Sequence, residues 1–157
     1  MDKLLALLSE NARLTDEQLA VMLGRSEEDV KKQIAQYEKD GTIRAYKALV
    51  DWDHTDRDYV TAIIELRVTP KPDKGFEAIA DTIMQFEEVE SIYLMSGGYD
   101  FSIVVRGRTF QEVAMFVAKR LAPLDGVVST ATHFVLRRYK EKDVIFLGEK
   151  TDERGDI

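Results

Sequence analysis

The 157-residue sequence predicts an α+β protein in two parts, a small helical N-terminal domain and a larger C-terminal domain of strands and helices. Three observations carry this. Ala20, Gly24 and Val30 stand at the spacing of a helix-turn-helix. From Tyr59 onward the apolar residues change from a period of about 3.6 to a period of about two. Between the two patterns lies Asp51–Asp58, DWDHTDRD, which is polar and unpatterned. The expected boundaries are therefore 1–50 for the helical domain, 51–58 for a linker, 59–147 for the second domain and 148–157 for a charged tail.

The first helix gathers Leu4, Leu5, Leu7 and Leu8, with Leu14 just beyond. The second runs from Asp16 to about Leu23, and the third from Glu27 to about Asp40, ending at Gly41. Thr15 with Gln18, and Ser26 with Asp29, read as capping boxes. Ala20 is small where two helices cross, Gly24 supplies the positive backbone angle of the turn, and Val30 and Ile34 anchor the third helix. Ile43–Val50 reads as extended chain, either a wing or a hinge strand.

In the second part, Val60, Ala62, Ile64, Leu66 and Val68 share one face of a first strand, which Pro70 and Pro72 end. Phe76, Ile79, Ala80 and Ile83 follow helical spacing. Val89–Ser96 reads as the second strand, Gly97-Gly98 as a hairpin turn and Tyr99–Arg106 as the third strand. Thr109 with Glu112 is a third capping box, opening a helix with Phe110, Val113, Ala114, Val117 and Leu121 on one face. Val127–Arg138 is the fourth strand, and Val144–Leu147 a short edge strand. The order β-α-β-β-α-β is the ferredoxin-like plan. Two helices cover one face of such a sheet. The other would present some of Ile63, Ile92, Leu94, Val104, Phe134 and Leu136, a patch that implies pairing with a second copy.

Composition narrows the function classes. Hydrophobic residues make up 45% and charged residues 32%, as in a water-soluble globular protein. The apolar runs are too short for a bilayer and the N-terminus lacks a signal-peptide pattern, so no membrane is expected and the cytoplasm is the default location. No cysteine is present, which excludes disulfides, zinc–thiolate sites and cysteine nucleophiles. His54 and His133 lack metal-ligand spacing, and no phosphate-binding loop or nucleophile elbow occurs, so no cofactor is expected. The net charge of −7 opposes nucleic-acid binding at first sight. Residues 1–50, however, hold eight basic and nine acidic side chains, so most of the acid excess lies in the second part.

A tight turn between two capped helices is the geometry that lays a helix into the major groove of double-stranded DNA. The candidate contacts are Arg25 and Ser26 in the turn, Glu28, Lys31, Lys32 and Gln36 on the third helix, and Arg44 and Lys47 in the extended chain. The bland alternative is a solvated helix face whose early acids suit the helix dipole. In the second part, Ser96, Gly97, Gly98, Tyr99 and Asp100 are either a plain turn or a ligand site. Glycine amides can approach a carboxylate closely, Asp100 could hold an ammonium group, and Thr130 and Thr132 could complete the pocket with hydroxyls.

The combination ARLT (Ala12–Thr15), QLAVMLGRS (Gln18–Ser26), Val30, Ile34, Asp40-Gly41 and IRAYKA (Ile43–Ala48), followed by SGGYDF (Ser96–Phe101), GRTFQEV (Gly107–Val113) and STATHFVL (Ser129–Leu136), resembles the Lrp/AsnC family of transcription regulators. The resemblance spans about residues 3 to 140. It implies a winged helix-turn-helix joined by a hinge strand to an effector-binding domain. It also implies homodimers, often assembled into larger rings, and a small-molecule effector, usually a free amino acid, near the Gly-Gly hairpin. Gln33 stands where the family usually has Arg, Tyr37 where it usually has Leu, and Glu27, Glu28 and Asp29 make the front of the recognition helix acidic. Two alternatives remain: an enzyme on the same architecture, such as a haem-pathway decarboxylase, and an assembly module that binds no DNA. Against the enzyme, only His133 among histidines lies in the second part.

Overall fold

The structure is a computed structural model that describes residues 1–57 and 59–146. The chain divides into two compact units, Met1–Val50 and the part from Asp51 onward. The expected tail, 148–157, lies outside the described residues, as do Leu147 and Asp58.

The first unit holds α1 (Lys3–Glu10), α2 (Asp16–Leu23) and α3 (Glu27–Lys39). Its core is Leu4, Leu8, Leu19, Ala20 and Val30, with Leu14, Ile34 and Tyr37 packed around them. Burying each of the larger aliphatic side chains stabilises the fold by about 1.5–3 kcal/mol. Thr15 forms the full capping box with Gln18. Ser26 accepts the Asp29 amide at 3.1 Å, but no bond returns from Asp29, whose side chain is one methylene shorter than that of the usual glutamate partner. Gly24 ends α2 in the left-handed region at φ +63°, as the turn requires.

The expected extended segment, Ile43–Val50, has a bend at Ile43, carries no regular secondary structure and joins no ladder, and no wing hairpin is present among the described residues. The Ile43 amide at its start donates to the Tyr37 carbonyl at 3.0 Å. Tyr37, unusual at its position, ties α3 to α1: its hydroxyl donates to Asp2 Oδ2 at 2.5 Å, while Asp2 Oδ1 caps α1 through the Leu4 and Leu5 amides.

The second unit follows the order β1 (Val60–Val68), α4 (Glu77–Met84), β2 (Val89–Leu94), β3 (Phe101–Gly107), α5 (Phe110–Phe116) and β4 (Val127–Phe134). A π-helical turn, Val117–Leu121, extends α5. The sheet order is β2-β3-β1-β4 with every neighbour antiparallel, the ferredoxin-like arrangement. Ala62, Ile64 and Leu66 of β1 pack with Phe101, Ile103 and Val105 of β3 beneath Ile83 of α4 and Val113, Phe116, Val117 and Leu121 of the α5 segment. Phe116, not Phe110 or Ala114, completes the buried helix stripe. Phe110 begins the helix, is 56% exposed and packs edge-to-face with Phe134, the ring centroids 4.8 Å apart.

Residues 51–57 group with this unit. A 3-10 turn, Trp52–His54, stacks the Trp52 ring on Tyr59 at 6.3 Å, with the Arg57 guanidinium over Trp52. β4 ends at Phe134 rather than Arg138. Val144–Ile145 pairs with Lys140–Glu141 across a two-residue turn, Lys142-Asp143, instead of joining the main sheet.

The register corrects the expected outer face. Ile92, Leu94 and Phe134 pair with Ile103, Phe101 and Ala62 and so share the helix-covered side, and Leu136 lies beyond β4. Ile63 and Val104 do face outward, joined by Tyr93 and Ala131. A bulge between Val89 and Ser91 shifts the alternation of β2, and period-two reading cannot foresee a bulge.

The Tyr37–Asp2 bond has a defined pH window. The Tyr37 hydroxyl holds the Asp2 carboxyl below its usual range, so the folded pKa is depressed. That stabilisation is present above the unfolded carboxylate value of about 4 and lost as pH falls through the lower folded value. The same bond raises the Tyr37 pKa, so on the alkaline side it persists up to about pH 10 and is lost above it. Tyr37→Phe should therefore melt below wild type at neutral pH. The two should converge in strong acid, as read by calorimetric melting across pH; a constant gap down to the lowest pH would disprove the assignment.

Candidate functional site

The helix-turn-helix presents α3 with its first turn and outer face in solvent. Lys31 and Lys32 are exposed, and each is engaged one turn back: Lys31 Nζ meets Glu27 Oε1 at 2.8 Å, and Lys32 Nζ meets Glu28 Oε1 at 2.9 Å. The Glu27 pair also raises the Lys31 pKa. The helical spacing i, i+4 carried this signal in the sequence, although the residues read separately as basic contacts and dipole-suited acids. Exposed pairs of this kind are weak and exchange readily for a stronger anion such as a phosphate.

The other expected DNA contacts have mixed freedom. Arg25 follows the left-handed glycine, and its amide donates to the Ala20 carbonyl at 3.0 Å, which fixes its backbone at the mouth of the turn. The Ser26 hydroxyl is used as the α3 cap. Gln36 is exposed and helps lower the Asp40 pKa, behind the larger effect of Thr42. Arg44 folds back over Gly41, whose added Cβ would come within 3.3 Å of the guanidinium carbon. Lys47 is exposed in the segment after α3. Arg25, Glu28, Lys31 and Lys32 thus gather at the start of α3, and Arg44 and Lys47 lie beyond its end.

The second candidate site differs from expectation. Pairing of β2 with β3 ends at Leu94–Phe101, closed by the Met95 amide donating to the Asp100 carbonyl at 2.8 Å. Ser96–Tyr99 is thus a four-residue loop, not a two-residue Gly-Gly turn. Gly97 adopts φ +151°, whereas Gly98 has no positive φ, and a two-residue type I′ turn needs both central residues positive.

Asp100 is not free to receive an ammonium group at both oxygens. Its Oδ2 accepts from the Val68 amide at 2.8 Å, and its own amide donates to the Leu66 carbonyl at 2.9 Å. It is a brace between the loop and the end of β1. Thr130 and Thr132 pair with Leu66 and Ile64 and share the helix-covered side of β4. β1 separates them from Phe101 by two strand spacings, about 10 Å, so within one chain they do not converge on the Ser96–Tyr99 loop.

The outer sheet face combines Ile63, Val104, Tyr93 and Ala131 with polar groups. His133 Nε2 lies 3.6 Å from Glu65 Oε1, and Arg106 Nε lies 3.9 Å from Glu90 Oε2. Tyr93, on the edge strand β2, is 56% exposed, and Ile63, on the interior strand β1, is 39% exposed. Among the described residues no helix is long and apolar enough to cross a membrane, and no group of three His, Asp or Glu side chains is placed to hold a metal.

Comparison with known proteins follows the same lines. Residues 61–145 match the family model described as the Lrp/AsnC ligand binding domain. The HTH-type transcriptional regulator YugG of Bacillus subtilis is 44% identical over 153 residues, covering 97% of this chain and 92% of the relative. The leucine-responsive regulatory protein of Haemophilus influenzae is 27% identical over 145 residues, covering 92% of this chain and 87% of the relative. Among solved structures, a transcriptional regulator from Neisseria meningitidis in complex with L-Met superposes with a TM-score of 0.73 at 26% identity, covering 90% of this chain and 93% of that one.

The Asp100 brace has a direct test. Asp100→Ala removes a charged acceptor from a strand-end amide and should cost about 1.5–3 kcal/mol of stability, with Asp100→Asn costing less because an amide oxygen can still accept. Chemical denaturation reads both. Full wild-type stability in Asp100→Ala would show that the carboxylate is not structural.

Proposed function

The chain belongs to the Lrp/AsnC family of helix-turn-helix transcriptional regulators, and on that premise we propose that it works as a homo-oligomer that reads double-stranded DNA under the control of a small effector, a free amino acid. The observation that carries the reading is the geometry of residues 15–39: two capped helices joined at a left-handed glycine, with the second helix exposed along its outer face. The relatives are transcriptional regulators, so the decarboxylase alternative is set aside.

At the DNA, Lys31 and Lys32 exchange Glu27 and Glu28 for phosphate or guanine acceptors, while Glu28, once released, accepts from a cytosine amino group. Arg25, Ser26 and Gln36 border this contact, and Arg44 and Lys47 meet flanking phosphates. A Lys31→Ala, Lys32→Ala double variant should bind DNA more weakly across all sequences, with the slope of log affinity against log salt reduced by roughly two, about one per phosphate contact. An unchanged salt slope would take α3 out of the interface. Selection of bound DNA fragments with and without each amino acid tests the regulatory reading as a whole.

For the effector, the Neisseria meningitidis complex with L-Met and the leucine-responsive relative support an amino acid. The exposed Ser96–Tyr99 loop offers backbone amides to its carboxylate, and Asp100 positions that loop. Thr130 and Thr132, on the helix-covered side of β4, do not line this loop within one chain.

The second copy pairs through the outer sheet face. Placing a charge at its centre, Ile63→Glu, should shift the full chain toward monomer in sedimentation equilibrium, because an unpaired carboxylate would be buried on association. Leu94→Glu, on the opposite face, serves as the control. Assembly unchanged in Ile63→Glu would assign the interface elsewhere.

A further inference from the structure

A recess with apolar walls in the second unit lies away from the Ser96–Tyr99 loop. It is a crevice of about 260 Å³ between the chain after β1, helix α4 and the turn before β4. Such a volume is just below the roughly 300–1,000 Å³ range of ordinary ligand pockets, so it suits a molecule smaller than a drug. Its inner end is backbone: the Thr69 amide donates to the Gly126 carbonyl at 2.7 Å, and a Cβ on Gly126 would come within 2.9 Å of the Thr69 carbonyl oxygen. Ala78, Ile79 and Leu124 form the apolar walls.

The rim is charged in a definite way. A tight turn, in which the Lys71 carbonyl accepts from the Lys74 amide at 3.2 Å and the Gly75 amide at 2.9 Å, presents both lysines to the crevice. Lys71 Nζ meets Asp125 Oδ2 across the opening at 2.8 Å. Each partner supports the other's charge, the Lys71 pKa being raised and the Asp125 pKa lowered. Among the described residues Lys74 has no such acid. Of the charged side chains that line the crevice, two are ammonium groups and one is a carboxylate, a surplus of one positive charge beside a greasy wall, while Asp73 of the same turn does not line it.

We propose that this crevice is a second ligand site, specific for a small monocarboxylate with an aliphatic tail and no ammonium group. The carboxylate pairs with Lys74 and neutralises the surplus, and the tail lies against Ala78, Ile79 and Leu124. A zwitterionic amino acid fits less well. It brings no net charge, and its ammonium group would have to displace Lys71 from Asp125. An inorganic anion would leave the apolar wall unused. The site does not rest on the Ser96–Tyr99 reading, and either can fail without the other.

Isocaproate, which is leucine without its ammonium group, is the probe, with isocaproamide and leucine as comparisons, in calorimetric titrations of the full chain. Isocaproate should bind and isocaproamide should not. Lys74→Gln, an exposed change that leaves the core intact, should weaken isocaproate by about tenfold or more, the value of one charge-assisted bond, while leaving leucine affinity unchanged. Bound isocaproate should also shield Lys74 from amine acylation, read by peptide mass spectrometry. Absence of isocaproate binding at millimolar concentration, equal binding of the amide, undiminished binding by Lys74→Gln or an unshielded Lys74 would each overturn the proposal. A leucine affinity that falls with Lys74→Gln would make the crevice an amino-acid site and the assigned class wrong.

Discussion

The second unit depends on burial of one face of β1. The strand is bonded on both sides, to β3 and to β4, and Ala62, Ile64 and Leu66 have no exposed surface. Side chains alternate along a strand, so burial of this set forces Thr61, Ile63, Glu65 and Arg67 onto the other face. A slip of one residue would drive Glu65 and Arg67 into an apolar core without partners, a cost no local preference could offset. The fixed register then determines much else. It puts Thr130 and Thr132 beneath the helices, sets His133 beside Glu65, and brings Val68 to Asp100 and Thr69 to Gly126. The loop proposed for the effector and the lysine-rimmed crevice are thus anchored on consecutive residues of one strand end.

What the sequence revealed follows from which signals are local. Helix limits in the first unit were legible because capping residues and Gly24 act within one turn, and α2 begins and ends as Thr15 and Gly24 indicate. The strand order was legible because β1 alternates cleanly. Partner-dependent features were not. The bulge in β2 turns Ile92 and Leu94 toward the helices, and only the pairing with β3 reveals it. Asp100 reads as a free carboxylate until the Val68 amide, 32 positions away in the chain, is seen to donate to it. Gly97-Gly98 invites a two-residue turn, yet Asp100 holds the strand ends too far along for one. Tyr37 looks like a misplaced polar group in a leucine position, and its meaning appears only with Asp2 at the far end of the unit. The crevice left no pattern at all, since Lys74, Ile79 and Leu124 come from three separate segments.

The acidic character of the chain is the remaining physical puzzle, and the ion pairs of α3 bear on it. Residues 1–50 are close to neutral, and the two outward lysines of the recognition helix carry their own counter-ions in Glu27 and Glu28. Nonspecific attraction to DNA scales with net positive charge, so one copy should hold random DNA weakly. A correct site offers something more than charge, because released glutamates and lysines can both be satisfied by base edges. On the proposed reading, self-pairing trades affinity for discrimination. Weak single copies also make assembly matter more. When two linked domains meet two half-sites, the second contact forms at high effective concentration, and the joint affinity far exceeds either alone. In the proposed oligomer, a ligand that binds one assembly state better than another shifts DNA occupancy through that same multiplication. On the proposed reading, a strongly basic helix would bind DNA as a monomer and blunt this response, and the acidic first turn of α3 would keep DNA binding dependent on assembly.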